Sequence, residues 1–234
     1  MIRVENIDVY GFEAAIRGMR NPMNSWERSD SCWCGYIEQD CENDDNKCMN
    51  LCGLGKPTNC FAVGKNDIDL MRKLAKAGTE HRKYLRMITV TMDITAPLYW
   101  WKEFDTYKVG TVANSCSTMH KIHAKEFTLD DFSCEHLIDG VVGTDELYNP
   151  YKHFCNTISC LNQCRNAYLK TKNKTRWWQM IQLLPSSYNQ KRTVQMNYEV
   201  VFNIIRQRSN HKLDEWLQFV DTLKELPYVK ELMQ

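Results

Sequence analysis

The stretch that decides the fold is residues 88–110, ITVTMDITAPLYWWKEFDTYKVG. Apolar residues stand at every second position from Ile88 to Ile94, and threonine or aspartate stands between them. This period of two predicts a half-buried strand with one apolar face and one hydroxyl-rich or acidic face. Ala96 and Pro97 end the strand, and Pro97 suits the first position of the helix predicted to follow.

The predicted helix carries the start of a mixed segment, residues 99–117, of aromatic, charged and Asn-Ser-Cys-Ser residues. Such a mixture predicts a ligand pocket. Trp100 and Trp101 suit either stacking on a ligand ring or burial in the core. Cys116 lies close to His120 in sequence, but a nucleophilic Cys/His pair is defined in space, so a catalytic cysteine stays an open alternative.

Upstream of this block, residues 1–9 predict a first strand, and apolar spacing after Gly11 predicts a short helix. Residues 20–65 carry many turn signals and little periodicity, which predicts a long irregular excursion with room for one short hairpin. Asn66 is expected to cap a helix that Gly78 closes in a left-handed conformation. No linker or repeat appears, so residues 1–234 are expected to form a single domain.

Downstream, helices dominate. One starts at Pro150, and another covers residues 213–223 with strong amphipathic spacing. Residues 186–192 read as a polar loop, and 193–208 as a helix that carries Asn197 and Arg208 on one face. That face suits either the wall of a ligand pocket or an ordinary buried helix face. A few strands followed by many helices predict an α+β fold, with helices packed on a sheet.

The composition argues against several classes of function. Thirty Lys and Arg against 29 Asp and Glu leave a formal charge of +1, so no net field favours nucleic acid or an anionic membrane. No apolar run approaches the roughly 18 residues that span a bilayer. The amino terminus lacks a signal-peptide pattern, and the expected location is the cytoplasm.

Eleven cysteines are present, six of them between Cys32 and Cys60. Without a secretory signal, free thiols are expected rather than a disulfide framework. Neither this cluster nor Cys116 with His120 and His123 has the spacing of a known zinc ligand set. The prediction is therefore no metal, and the alternative is a zinc-stabilised interaction protein built on residues 32–60.

Two blocks of the chain resemble the flavin-dependent thymidylate synthases. In residues 81–110 a strand, Ala-Pro and a helix lead into the position of the family's Arg-His-Arg signature. In residues 184–208 a Leu-Pro pair, Asn197, Asn203 and Arg208 keep the family's intervals. The second block is the more specific, and with the tail the two cover about half of the chain.

The resemblance implies conversion of dUMP to dTMP with FAD, NADPH and methylenetetrahydrofolate, in a homotetramer with active sites at subunit interfaces. Reduced flavin supplies the hydride in this family, and no cysteine nucleophile is needed. By resemblance, Arg208 is the catalytic residue, because it holds and activates the uracil ring. The implied FAD-binding residues are His81, Tyr107, Lys108, Val109, Asn197 and Asn203. The implied substrate-binding residues are Glu103, Thr106, Ser115, Ser117 and Arg208.

The chain departs from the family pattern at several positions. The tripeptide Thr-Tyr-Lys at 106–108 replaces Arg-His-Arg, and Glu103 replaces a glutamine. The motif that follows the tripeptide contains one extra residue, between Thr111 and Asn114. Ser115 replaces a glutamate, and Met119 and Ile181 replace arginines. Each lost charge-assisted bond is worth roughly 1.5–3 kcal/mol. The alternative function is therefore a flavin- or nucleotide-binding protein that transfers no methyl group.

Overall fold

The computed structural model describes residues 1–33, 61–142 and 149–234. The strands are β1 (Arg3–Tyr10), β2 (Cys32–Trp33), β3 (Phe61–Ala62), β4 (Thr89–Pro97), β5 (Thr111–Ser115) and β6 (Asn189–Asn197). The helices are α1 (Phe12–Arg20), α2 (Lys65–Lys76), α3 (Leu98–Phe104), α4 (Thr118–Lys121), α5 (Pro150–Thr171), α6 (Lys174–Leu183), α7 (Tyr198–Arg208), α8 (Asp214–Lys224) and α9 (Val229–Met233). The predicted α+β class is confirmed.

Four of the strands form one sheet in the order β1-β4-β6-β5, while β2 pairs antiparallel with β3. The predicted alternation of β4 is confirmed, since Val90, Met92 and Ile94 are buried and the residues between them are half-buried. Pro97 belongs to the strand and is the N-cap of α3, not its first residue. The sequence predicts no strand at β5, because this edge strand is mostly exposed and has no apolar alternation to mark it.

The chain divides into two compact units. Unit one comprises residues 1–5, 93–106 and 113–193, and unit two comprises residues 6–92, 107–112 and 194–234.

The aromatic helix α3 lies in the core of unit one. Trp100 and Trp101 are both fully buried, and Phe104 is 1% exposed. Trp100 stacks on Phe104 with ring centroids 5.1 Å apart, and Trp101 meets Trp100 edge-on at 4.9 Å. The core interpretation of the two tryptophans is therefore confirmed. A second apolar cluster of this unit comprises Ile122, Phe127, Phe132, Ile158, Leu161 and Met180.

The core of unit two is built around Phe12, whose ring meets Tyr198 at 5.7 Å and Tyr228 at 5.2 Å, both edge-on. The Tyr198 hydroxyl donates to the backbone oxygen of Pro227 at 2.9 Å. Burial raises the pKa of Tyr198 well above its ordinary value, so this donor stays protonated. The amphipathic pattern predicted for α8 is confirmed by the burial of Trp216 and its apolar neighbours along that helix.

The start of α2 differs from the prediction that Asn66 caps it. Gly64 is the N-cap, and Asn66 lies within the first turn. The carboxylate of Asp30 accepts from the backbone N–H of Asn66 at 2.9 Å and of Asp67 at 3.2 Å. A side chain distant in sequence thus satisfies the amides that a local cap normally would. Gly78 follows the helix with φ of +114°, as predicted.

Asp67 is a fully buried carboxylate in unit two. It accepts from Arg20 Nε and from the hydroxyls of Ser29 and Ser31, each at 2.6 Å. Burial alone raises the pKa of this carboxyl, but the three hydrogen bonds outweigh burial and hold the pKa below its ordinary value. Asp67 therefore fastens the segment that follows α1 to the first turn of α2.

Residues 186–208 correct the prediction of a polar loop followed by a helix from Thr193. β6 covers residues 189–197, and α7 begins only at Tyr198. Val194 and Met196 are buried while Thr193 is exposed, so this part has the period of a strand. The error arose because the apolar stripe of α7 begins directly after this strand and was extended back over it.

Most of the predicted excursion at 20–65 cannot be compared, because residues 34–60 lie outside the described residues. In the parts that are described, no group of three or more His, Cys, Asp or Glu residues could hold a metal ion. Nor is any helix there long and apolar enough to cross a membrane. The cysteines in those parts are free thiols: Cys32, Cys116, Cys134, Cys155, Cys160 and Cys164.

Candidate functional site

In unit two, residues 107–110 form a segment that lies against the start of α7. Gly110 has φ of +80°, and a Cβ there would lie 2.6 Å from Asn197 Nδ2 and 3.2 Å from Val200 Cγ2. The close approach and the left-handed backbone both require glycine. The segment is thereby held against two residues of β6 and α7.

Asn197 is the N-cap of α7, and its Oδ1 accepts from the Val200 backbone N–H at 3.1 Å. The prediction that Asn197 and Arg208 lie on one helical face is therefore wrong. Asn197 has extended backbone angles, and only residues after it belong to the helix. Both residues nevertheless lie at the ends of α7. Gly110 approaches Asn197 at one end, and Tyr107 contacts Arg208 at the other.

Arg208 is held between two aromatic rings of unit two. Its Nε donates to the Tyr107 hydroxyl at 3.0 Å, and that hydroxyl donates to Gln207 Oε1 at 2.8 Å. The guanidinium carbon lies 4.6 Å from the ring centroid of Trp216 and 5.7 Å from that of Tyr107. Stacking and the hydrogen bond together fix the plane of the guanidinium. Arg208 is thus a pre-oriented, half-buried cation.

Sequence reasoning missed Gln207 and Trp216 as members of this cluster. Trp216 fits the apolar stripe of α8, so its pattern indicates core packing and nothing else. Gln207 is an exposed polar residue next to Arg208, with no motif of its own. Only the fold brings these side chains to Tyr107.

The other predicted cofactor residues of unit two lie outside the cluster around Arg208. Lys108 is exposed, and Val109 has 90% of its surface exposed. Asn203 is half-buried on α7, and His81 is exposed in the turn before β4. None of the contacts above involves Asn203 or His81.

The first turn of α7 carries Glu199, which pairs with Arg86 and with Arg82 at 3.2 Å. Burial alone raises the pKa of Glu199, but the hydrogen bonds from the two arginines outweigh it and lower that pKa. Because Arg82 follows His81 directly, this ion pair ties the turn that carries His81 to α7.

In unit one, two of the predicted substrate residues, Thr106 and Ser117, lie at helix ends. The Thr106 hydroxyl donates to the backbone oxygen of Glu103 at 2.7 Å, just beyond the end of α3. Ser117 caps α4, where its Oγ accepts from the His120 backbone N–H at 3.1 Å. Ser115 ends β5 and is exposed. The structure thus assigns helix-end roles to Thr106 and Ser117.

Arg192 is a residue of unit one that sequence reasoning left in a polar loop. Its guanidinium carbon lies 4.2 Å from the Trp101 ring centroid, and its Nη1 donates to Asp105 at 2.7 Å. Its Nε donates to Gln190 Oε1 at 2.9 Å. The Gln190 side-chain nitrogen donates in turn to the backbone oxygen of Cys116 at 2.9 Å. This network fixes the chain just before Ser117 against β6.

The two predicted sets separate by unit. Every predicted cofactor residue belongs to unit two, as does Arg208, whereas the remaining predicted substrate residues belong to unit one. Within unit two, the contacts join Tyr107 with Arg208 directly, and Asn197 with residues 107–110 through Gly110.

Comparison with known proteins finds similarity in fold to solved structures but no similarity in sequence to a known family. No family model and no curated protein matches the sequence. The structure is similar to a crystal structure of the Helicobacter pylori flavin-dependent thymidylate synthase complexed with FAD and dUMP. The TM-score is 0.63 at 15% identity, over 98% of this chain and 97% of that chain. A second crystal structure of that enzyme, also with FAD and dUMP, gives the same TM-score and identity over 100% of both chains. The part of the chain that the structure describes therefore has the fold of a flavin-dependent thymidylate synthase.

Proposed function

We propose that the protein is a divergent flavin-dependent thymidylate synthase that converts dUMP to dTMP with methylenetetrahydrofolate and NADPH. The observation that carries the proposal is Arg208, oriented by Tyr107 and Trp216 at the position that the resemblance gives to the catalytic arginine. The similarity in fold over the whole chain supports it. A single-domain subunit in a cytoplasmic homotetramer is part of the proposal.

The residues of unit two fit FAD in part. The ammonium of Lys108 is exposed and suits an anionic pyrophosphate, and exposed Val109 offers apolar contact to a ring. Asn197 and Tyr107 already make hydrogen bonds within the chain, so they would shape the site as well as contact a ligand. When bound, reduced flavin would supply the hydride.

In this proposal Arg208 acts on the nucleotide. A fixed cation beside a pyrimidine stabilises the negative charge that develops on the ring, and it needs no reorganisation when that charge forms. The half-buried position of the guanidinium reduces screening by water, which strengthens the effect. Tyr107 and Trp216 would serve as positioning residues, since both contact Arg208.

A second candidate is a flavin- or nucleotide-binding protein without methyl transfer. The replacement of two signature residues by Thr106 and Tyr107 favours it, because a hydroxyl and a phenol carry no charge for an anionic ligand. At Lys108 the charge is kept, but the planar fork that grips a phosphate through two bonds is lost.

Release of the C5 proton of labelled dUMP distinguishes the two candidates. With FAD, NADPH and methylenetetrahydrofolate, the synthase proposal predicts proton release and dTMP formation by the purified protein. It also predicts that Arg208→Lys reduces turnover at least tenfold while Arg206→Lys, on the same helix and exposed, does not. Binding of dUMP without any proton release would favour the second candidate and contradict the first.

A further inference from the structure

Two cysteines of unit one lie on the same face of α5. Cys160 and Cys164 are four residues apart in this helix. Residues with that spacing are neighbours on a helix surface, with Cβ atoms about 5–6 Å apart. The Cys160 thiol lies close enough to the Cys164 thiol for a hydrogen bond between them. Both are free thiols, of which Cys160 is exposed and Cys164 is half-buried. One helix alone therefore forms the pair, and solvent reaches it at Cys160.

Cys164 has apolar packing and one cation near it. It packs against the second apolar cluster of unit one, as does Tyr168 one turn further along α5. Arg176 of α6 lies near enough to Cys164 to favour its thiolate electrostatically. No ion pair joins Arg176 to a carboxylate of the described residues. Its charge is therefore free to offset a negative charge at the cysteine pair.

The spacing of the pair suits a bridging ion better than a disulfide. A disulfide brings the two Cβ atoms to about 3.5–4.5 Å, which is closer than an undistorted helix places them. Two metal–thiolate bonds of about 2.3 Å each, the length known for zinc, hold collinear sulfur atoms roughly 4.6 Å apart. An ion between the two thiolates therefore fits the helix without bending it.

The number of ligands decides which ion the pair suits. Thiolates select soft ions, among them Cu(I), Zn²⁺ and the iron of iron–sulfur clusters. Zinc sites take at least three protein ligands, and iron–sulfur clusters are held by four. The described residues contain no group of three or more His, Cys, Asp or Glu side chains that could hold a metal ion. Cu(I) has a filled d shell and forms stable complexes with two collinear thiolates, so two cysteines alone satisfy it.

We propose that Cys160 and Cys164 bind one Cu(I) ion as a two-coordinate dithiolate site on α5. Binding forms two Cu–S bonds, releases the two S–H protons to solvent and transfers no electron. The complex carries one net negative charge, which Arg176 offsets. The site differs from the metal candidates that the sequence suggested. It is also independent of the proposed function, because none of the residues implied for FAD or dUMP is a cysteine.

The experiment measures how fast N-ethylmaleimide labels each cysteine of the full chain, mapped by mass spectrometry of its peptides. The reduced protein is kept free of oxygen, with or without Cu(I) buffered by bicinchoninate, so that other cysteines do not deplete the metal. We expect Cu(I) to slow the labelling of Cys160 and Cys164 at least about tenfold, because a metal-bound thiolate is not free to react. In Cys160→Ser the labelling of Cys164 returns to its metal-free rate, and in Cys164→Ser that of Cys160 does. Cys155→Ser removes a thiol on another face of the same helix and leaves the protection of the pair unchanged.

Equal labelling of the pair with and without Cu(I) overturns the proposal, and so does protection of Cys164 that survives Cys160→Ser. Because Cys160 is exposed, Cys160→Ser is expected to fold, which keeps this comparison decisive. Excess bicinchoninate should remove the protection, whereas protection that only a reductant reverses would reveal a disulfide instead. Protection that weakens on dilution of the protein would show that two chains share the metal. Zn²⁺ should protect the pair far less than Cu(I), and equal protection would contradict a site of two ligands.

Discussion

Replacing Arg208 by methionine tests whether its orientation is built into the fold. The change removes the hydrogen bond from Nε to the Tyr107 hydroxyl and the stacking on Trp216. A hydrogen bond to a charged group contributes about 1.5–3 kcal/mol and a cation–π contact about 0.5–1 kcal/mol, both less where water screens them. Methionine keeps the apolar stem, and Tyr107 keeps its bond to Gln207. The expected loss in the free energy of unfolding is therefore about 1–2 kcal/mol.

The assay is urea unfolding, in which a lower midpoint at an unchanged slope measures the lost stability. Arg206→Met is the matched control, because Arg206 is an exposed arginine of the same helix. It is expected to change stability by no more than about 0.5 kcal/mol. In a Tyr107→Phe background, the cost of Arg208→Met should fall by about 1 kcal/mol, since the two side chains share one bond. Equal losses for the two arginine variants, with no coupling to Tyr107, would refute the reasoning.

Two further predictions concern unit two. Gly110→Ala should cost more than about 1 kcal/mol and weaken FAD binding, because its Cβ would collide with Asn197. Gly78→Ala is the control for backbone strain alone, since φ there is also positive but no atom lies within 4 Å of the added Cβ. Equal losses of unfolding free energy in the two variants, measured with urea, would contradict a collision at Gly110. Asp67→Ala should cost about 3–5 kcal/mol, because Arg20 would be left as an unpaired buried charge. Asp69→Ala should cost little, because the ion pair that it removes, with Arg72, is partly exposed to water. Since folding lowers the pKa of Asp67, its stabilisation is present above about pH 4 and is lost as the pH falls through the folded-state pKa. Glu199, whose pKa is also lowered, makes the same kind of contribution in both proteins, so the unfolding midpoint should fall less steeply with acidic pH in Asp67→Ala than in the unchanged protein.

The sequence predicted those elements whose burial is decided locally. β4 alternates because one face of it meets the core, and α8 keeps an apolar stripe for the same reason. The role of Gly78 in ending α2 was equally predictable, since a helix end in the left-handed conformation favours glycine.

The elements that the sequence did not predict depend on distant partners. Val194 and Met196 have the two-residue spacing of a strand, but this short alternation runs directly into the apolar stripe of α7, and the strand is defined by its place between β4 and β5 in the sheet. The cap of α2 comes from Asp30, which no local pattern could connect with Asn66.

The candidate site shows the same division. Tyr107 and Arg208 are far apart in sequence, and their positions came from family resemblance rather than from any local signal. Two residues that help to orient Arg208 belong to no motif. Gln207 accepts from Tyr107, and Trp216 lies in an apolar stripe, which by itself indicates only packing.

The absorbance spectrum of the purified protein, before and after addition of FAD, tests the central proposal most directly. A divergent flavin-dependent thymidylate synthase is expected to carry flavin absorbance after gel filtration, or to acquire it from added FAD in a one-to-one ratio with the chain. Gly110→Ala should acquire less flavin than Gly78→Ala under the same conditions. A protein that emerges colourless and retains no added FAD would contradict the proposal.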